Sequence, residues 1–202
     1  MATVLAGFRP VKHLNGSAWN GQVNRYMISA SDTQATNVGD LVQLDTNPSL
    51  VDTAGTGVYP AVKRIASGTA VPIVGAIVGF EVDYSNLNAP NYRAASTRRV
   101  ALVADAVDTI FAAPQDGVGG VVAAANIGMN AAVNLGAAST SGSYASGLNV
   151  DSSTAAVTAT LPLQIMGVTA SPDSDVTSTT RPAELLVRIN THQYGAAGVL
   201  GV

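Results

Sequence analysis

The chain contains no cysteine. A disulfide framework and a thiolate metal site are both excluded, and the redox compartment stays open. Charge is almost as scarce, because Asp, Glu, Lys and Arg make up 11% of the 202 residues, against roughly 25% in an ordinary soluble domain. A free monomer normally carries more surface charge than that. The surface is therefore either clothed in Ser, Thr, Asn and Gly or hidden in an assembly. The net charge of −3 and a pI near 5.1 run against a nucleic-acid binder, which needs a basic face. Arg98-Arg99 is too short a run to supply one.

Long apolar runs are missing too. The longest, Val71 to Phe80, falls well short of the ~20 residues that cross a bilayer. The start, Met1 to Pro10, has no basic leader followed by an apolar stretch. The expectation is a protein made in a cytoplasm that stays soluble or assembles there, with neither membrane nor nucleic acid among its partners.

The residues of catalysis are thin as well. The histidines are His13 and His192, near opposite ends of the chain, and each reads as a solvated surface residue. Without cysteine or a His-x-x-x-His spacing they make no zinc site. The stretch Ser139 to Gly147 lacks the Gly-x-Ser-x-Gly turn of a serine nucleophile. Asp173-Ser174-Asp175, and Asp105 with Asp108, bring carboxylates close as calcium would require. No twelve-residue loop with its terminal Glu follows either, so they read as turn-capping residues. Gly55-Thr56-Gly57 and the Gly117–Gly120 cluster lack the Lys-Ser/Thr of a phosphate loop. Asn15-Gly16-Ser17 matches a glycosylation sequon with no export signal beside it. No acid, base, nucleophile and ligand set converges in the sequence, so neither an enzyme nor a cofactor or metal site is expected.

What the chain does have is the punctuation of short strands. Its apolar residues are Ala and Val more than Leu and Phe, and aromatics are 5%. Small and β-branched side chains suit thin sheets and tight barrels. Strand signals, bounded by Gly, Pro, Asn and Asp, fall at 38–44, 61–65, 72–82, 98–104, 109–113, 148–151, 154–160, 161–168 and 185–190. The glycines inside 72–82 suggest bends, as at a barrel corner. Val121 to Leu135 is rich in Ala, yet Asn126, Gly128, Asn130 and Asn134 oppose a helix, and a strand around Ile127–Asn130 is expected. Residues 1–30, with Arg9, Lys12 and Arg25 and no acid before Asp32, read as an extended arm.

The predicted class is therefore all-β, of β-barrel or β-tulip type, with an N-terminal arm and a C-terminal tail. The predicted divisions are 1–30 (arm), 31–97 (first β region), 98–192 (second β region, a barrel) and 193–202 (tail). Gly-initiated strands at Val38-Gly39 and Ile127-Gly128, each followed by a longer apolar strand, leave open whether the two regions are related barrel halves.

Val100 to Phe111, Gln115-Asp116-Gly117 and Ile127 to Val133 resemble an arrangement in tailed-bacteriophage capsid decoration (cement) proteins. So do Ser146 to Ser152, Leu163 to Val168 and Pro172-Asp173-Ser174. The resemblance covers roughly residues 97–192 and consists of strand and turn residues without a chemical signature. It implies a homo-oligomer (trimer favoured, dimer possible) on the outer surface of an icosahedral virion, bridging major capsid subunits. Such a role calls for broad, repeated, individually modest contacts, for sheet edges that can pair with a neighbour, and for arms that reach a partner. Arg9, Lys12, Arg25 and Tyr194 are the expected partner-contact residues, and removal of residues 1–25 is expected to spare the fold. The alternative is a virion surface or fibre module that recognises a host glycan. That reading expects clustered aromatics, whereas Trp19, Tyr26, Tyr59, Tyr84, Tyr92, Tyr144 and Tyr194 are scattered along the sequence.

Overall fold

A computed structural model describes residues 7–51, 58–84, 86–137, 139, 144–169 and 183–195, by backbone alone at 46–51. The described residues are all-β. Thirteen strands follow one another: β1 Arg9–His13, β2 Asn24–Ile28, β3 Thr36–Asn37, β4 Leu41–Val51, β5 Val58–Arg64, β6 Gly75–Phe80, β7 Tyr92–Arg93, β8 Arg99–Ala104, β9 Thr109–Ala113, β10 Asn130–Leu135, β11 Leu148–Ala156, β12 Leu163–Val168 and β13 Leu185–Ile189. The Ala-rich stretch holds a single 3-10 turn at Ala124–Asn126, and its strand begins at Asn130. The two strands expected across 148–160 are the single strand β11.

The strands form two bodies and a small β3–β7 pair. A closed barrel runs β2-β5-β4-β6-β8, and a six-stranded sheet runs β1-β9-β13-β12-β10-β11. All barrel neighbours are antiparallel except β2 and β5, which close the ring through a parallel pairing at Met27 and Ala61. The bends expected near the glycines of β6 are present, with a register shift between Ile77 and Gly79. At Gly75 any β-carbon would sit 2.1 Å from the Ala104 carbonyl oxygen, so only glycine lets β6 lie this close to the end of β8.

The barrel strands use both faces. Val42, Ile77, Ala101 and Val103 point inward with Tyr26, Ile28, Val62 and Val74. Their neighbours in sequence, Leu41, Ala76 and Ala104, join a second core with Phe111, Val133, Leu148, Ile165 and Val187 of the sheet. The period of two along a strand divides each one between the barrel interior and the shared core. The barrel and sheet therefore bury apolar surface against each other and form one body.

This arrangement corrects the expected divisions. β1 lies in the sheet beside β9, and β2 is a barrel strand paired along its length with β8. Residues 9–13 and 24–28 are structural strands, because Tyr26, Met27 and Ile28 carry core side chains. The boundary at 97 also fails, since β8 completes the barrel. A closed five-stranded ring and an open six-stranded sheet differ in topology, so the two regions are not matching halves. Residues 1–6 and the tail at 196–202 lie outside the described residues, as do Gly55–Gly57 and the loop carrying Asp173-Ser174-Asp175.

Both edges of the sheet are engaged within the chain, contrary to the expectation of free edges. Outside β1, the Trp19 N–H donates to the Val11 carbonyl at 3.1 Å and the His13 N–H to that of Ser17 at 2.8 Å. Outside β11, the Val150 N–H donates to the Pro114 carbonyl at 2.8 Å, and the Asp116 N–H returns to that of Val150 at 3.0 Å. The Asp116 carboxylate then takes the Ser152 N–H at 3.1 Å and hydroxyl at 2.7 Å. Short flanking turns of this kind blunt a sheet edge against addition of another strand.

A buried polar hub locks the two bodies together. Asp40 is fully buried. One carboxylate oxygen accepts from the Ser146 hydroxyl at 2.6 Å. The other accepts from the Asn37 N–H at 2.8 Å and lies 3.2 Å from Arg64 Nε. Arg64 also donates to the Gly136 carbonyl, and the Asn37 carboxamide donates to the carbonyls of Ser139 and Ala145, each at 2.8 Å. Asp40→Ala leaves the buried Arg64 guanidinium without its counter-charge and is expected to cost about 3–5 kcal/mol, read from denaturant melts. Deletion of residues 1–25 removes β1 and the start of β2, so loss of the cooperative unfolding transition is expected. A truncated chain that still melts cooperatively at the full-length temperature would refute that placement of β1 and β2.

Candidate functional site

The chain crosses between sheet and barrel twice. Residues 14–23 lead from β1 to β2, and residues 105–108 lead from β8 to β9. The two crossings lie side by side, joined by the Leu14 N–H donating to the Asp108 carbonyl at 2.8 Å. Between them opens a groove of about 780 Å3, whose polar side chains come from His13, Asn15, Ser17, Gln22, Asn24, Asp105 and Asp108. Its volume falls in the range of about 300–1,000 Å3 typical of small-molecule sites.

Local structure fixes most of these groups. The Asn15 side-chain oxygen accepts from the Ser17 N–H at 2.9 Å and its hydroxyl at 2.8 Å, which folds the first crossing into an Asx turn. Asp108 Oδ1 lies 3.1 Å from His13 Nδ1. Asp105 is held by the Asn24 carboxamide, 3.0 Å from both its oxygens, and by the Tyr26 hydroxyl at 2.6 Å. Tyr194 Oη lies 3.3 Å from Tyr26 Oη. Burial, followed by the hydrogen bonds to Asp105 and Tyr194, pushes the Tyr26 phenol well above its ordinary range and keeps it neutral.

Both histidines depart from the expected solvated state. His13 is 8% exposed and His192 is 6% exposed. His13 is the last residue of β1, turned inward against the second crossing. His192 follows β13, and its Nδ1 accepts the Tyr194 N–H at 3.1 Å. Neighbouring backbone bonds, Ile73 N–H to Thr191 O at 2.9 Å and Gln193 N–H to Ile73 O at 2.8 Å, bind this segment to the barrel. Burial lowers the His192 pKa, opposed by the charge of Asp105 and by the backbone of Asp105 and Val74.

A buried histidine beside two carboxylates in a groove is the arrangement that would favour catalysis. Among the described residues the remaining parts of a relay do not gather around it. Ser17 is the hydroxyl in the groove, and it donates to Asn15. Among the described residues no three His, Asp or Glu side chains converge as a metal would require.

Of the expected contact residues, Tyr194 alone joins this cluster. Lys12 sits next to His13 in β1, half-buried. Arg9 pairs with Glu184, and Arg25 Nε lies 2.6 Å from Glu81, so both charges are engaged inside the chain. The scattered aromatics are partly gathered by the fold: Tyr92 and Tyr144 stack at 5.0 Å, and Tyr26 meets Tyr194. Gln22 and Asn24 carried no sequence signal, and Asn15 carried only that of a sequon, because a carboxamide marks a site only once its neighbours are known.

No family model matches the chain, and comparison with curated proteins and with solved structures likewise finds no match. The structure defines the class, an all-β protein of a closed barrel joined to an open sheet.

The neutral His192 generates a pH dependence. Its pKa in the fold lies below the ordinary histidine value of about 6.5, so the unfolded chain takes up a proton first as pH falls. Stability from this group is complete above about pH 6.5 and declines as pH drops toward the lower folded value. Denaturant midpoints at pH 7.5 and 5.5 are expected to show this decline, and His192→Gln is expected to flatten it. An equal slope in the two proteins would count against a neutral buried His192.

Proposed function

We propose that this chain is a structural virion protein that decorates and stabilises the outer surface of an icosahedral phage head. It acts as a homo-oligomer, a trimer in the favoured form, that bridges subunits of the major capsid protein, and it has no catalytic role. The observation that carries the reading is the connection from β6 to β7. Val82, Tyr84 and Leu87 in that loop are 61%, 89% and 77% exposed. Large apolar side chains grouped on one exposed loop mark a surface that a partner covers. The low charge of the chain supports the same reading, as does a body made rigid by buried polar bonds.

The covered sheet edges favour contacts made by loops and strand faces over strand addition. Arg9 and Arg25 pair within the chain, while their side chains stay 53% and 58% exposed. Many weak loop contacts, repeated over a lattice, sum to tight attachment.

The test is the oligomeric state of the purified protein and its co-sedimentation with heads that lack it. Stable oligomers that sediment with heads are expected. The pair Tyr84→Ser and Leu87→Ser is expected to abolish co-sedimentation while changing stability by no more than about 0.5 kcal/mol, since both side chains are exposed. Full attachment of that variant would exclude the loop, and a monomeric wild type that ignores heads would overturn the proposed function.

A further inference from the structure

The groove between the two crossings is built for a ligand of restricted chemistry. Its lining contains no Lys or Arg, which leaves nothing to neutralise a phosphate, sulfate or carboxylate ligand. Its apolar members, Val23, Ala106 and Val107, are too small to enclose a lipid or an aromatic ring. The carboxylates are engaged in hydrogen bonds with Asn24, Tyr26 and His13, so the groove is more a hydrogen-bonding surface than a bare negative pole.

What it presents is a mixture of donors and acceptors on planar side chains. Asn15 uses its oxygen on Ser17, and the residue is exposed, which leaves its amide N–H groups as donors. Gln22 is exposed and brings both a donor and an acceptor. Asp108 meets His13 through one oxygen, and its side chain is 50% exposed. Neighbouring hydroxyls, each a donor and an acceptor, match such a set.

A second hollow of about 470 Å3 adjoins the groove and shares Val23 and Asn24 with it. Its wall is formed by Tyr59 and Pro60, and its cation, Arg25, is held by Glu81 at 2.6 Å. A half-buried aromatic ring beside proline offers an apolar plate to the C–H face of a sugar ring, next to groups that bind its hydroxyls.

We propose that this trough, from Asn15 and Gln22 across Asn24 to Tyr59, is a binding site for a neutral oligosaccharide. The assignment rests on the chemistry of the trough and does not depend on attachment to a capsid. Its test uses the isolated full-length protein, so its failure and that of the decoration reading are separable. Saturation-transfer NMR and calorimetry would be run with tri- and tetrasaccharides of glucose, mannose, galactose and N-acetylglucosamine, with spermidine and trilysine as cationic comparisons. At least one neutral oligosaccharide is expected to bind, with contacts to its ring protons and little change on raising salt.

Gln22→Ala removes a side chain with no partner among the described residues, and Asp108→Asn keeps the shape of the groove. Each is expected to weaken binding about tenfold or more, with Gln22→Ala melting like wild type. Tyr59→Ala is expected to remove the ring-proton contacts. No binding by any of the neutral oligosaccharides at millimolar concentration would overturn the proposal. So would binding untouched by Gln22→Ala and Asp108→Asn, or salt-sensitive binding of the cations alone.

Discussion

The structure turns on the buried carboxylate of Asp40. An ionised group removed from water is tolerable only when its charge and lone pairs are met, and its partners come from separate parts of the chain. Arg64 arrives from β5, Asn37 from β3 and Ser146 from the segment before β11. Burial raises the Asp40 pKa, and Arg64, the Asn37 N–H and the Ser146 hydroxyl oppose that rise. Apolar contact between barrel and sheet is favourable but non-directional. The hub adds direction, because its hydrogen bonds close in one relative placement of the two bodies. Gly7 shows how tight that placement is: with φ +61°, it sits where a β-carbon would lie 2.4 Å from that of Ser146.

A second buried charge prepares the first. Arg93 is fully buried and gathers backbone carbonyls from Ser29, Asp32, Gln34 and Thr97. Its fork of donors suits this task. The clamp holds the loop between β2 and β3 against β7, and so delivers Asn37 to Asp40. Farther away, Asp116 works in the same manner at the edge beside β11. Burial acts to raise its pKa, but hydrogen bonds from Ser152, Asn134 and Val118 prevail and hold it below the usual carboxylate value. Local carboxylate-centred bonds thus do much of what helix caps and long charged networks do in other folds.

The strands were the legible part of the sequence. The runs at 109–113 and 185–190 correspond to β9 and β13, and those at 61–65 and 98–104 to β5 and β8, because β-branched runs between turn residues carry their own period. Membership was not legible. β1 and β2 look like an arm because polar and basic residues interrupt them, and because the strands they pair with along their length, β9 and β8, lie more than 70 residues away. The histidines were misjudged for the same reason: His13 is buried by the 105–108 turn and His192 by the barrel, contacts that no local window contains. The pairing of Arg9 and Arg25 was not legible either, since Glu184 and Glu81 are remote in sequence.

Composition and local period alone determined that this is an all-β protein without cysteine chemistry, with short strands, many turns and little charge. Those properties are sums or short-range repeats, and they survive without knowledge of the fold. Tertiary structure decided the closing of the barrel, the shared core, the burial of Asp40 and Arg93, and the meeting of the two crossings that forms the groove. Each of these depends on residues far apart in the chain brought to hydrogen-bonding distance. The free energy that selects such partners comes from desolvation and geometry, which a linear sequence does not display.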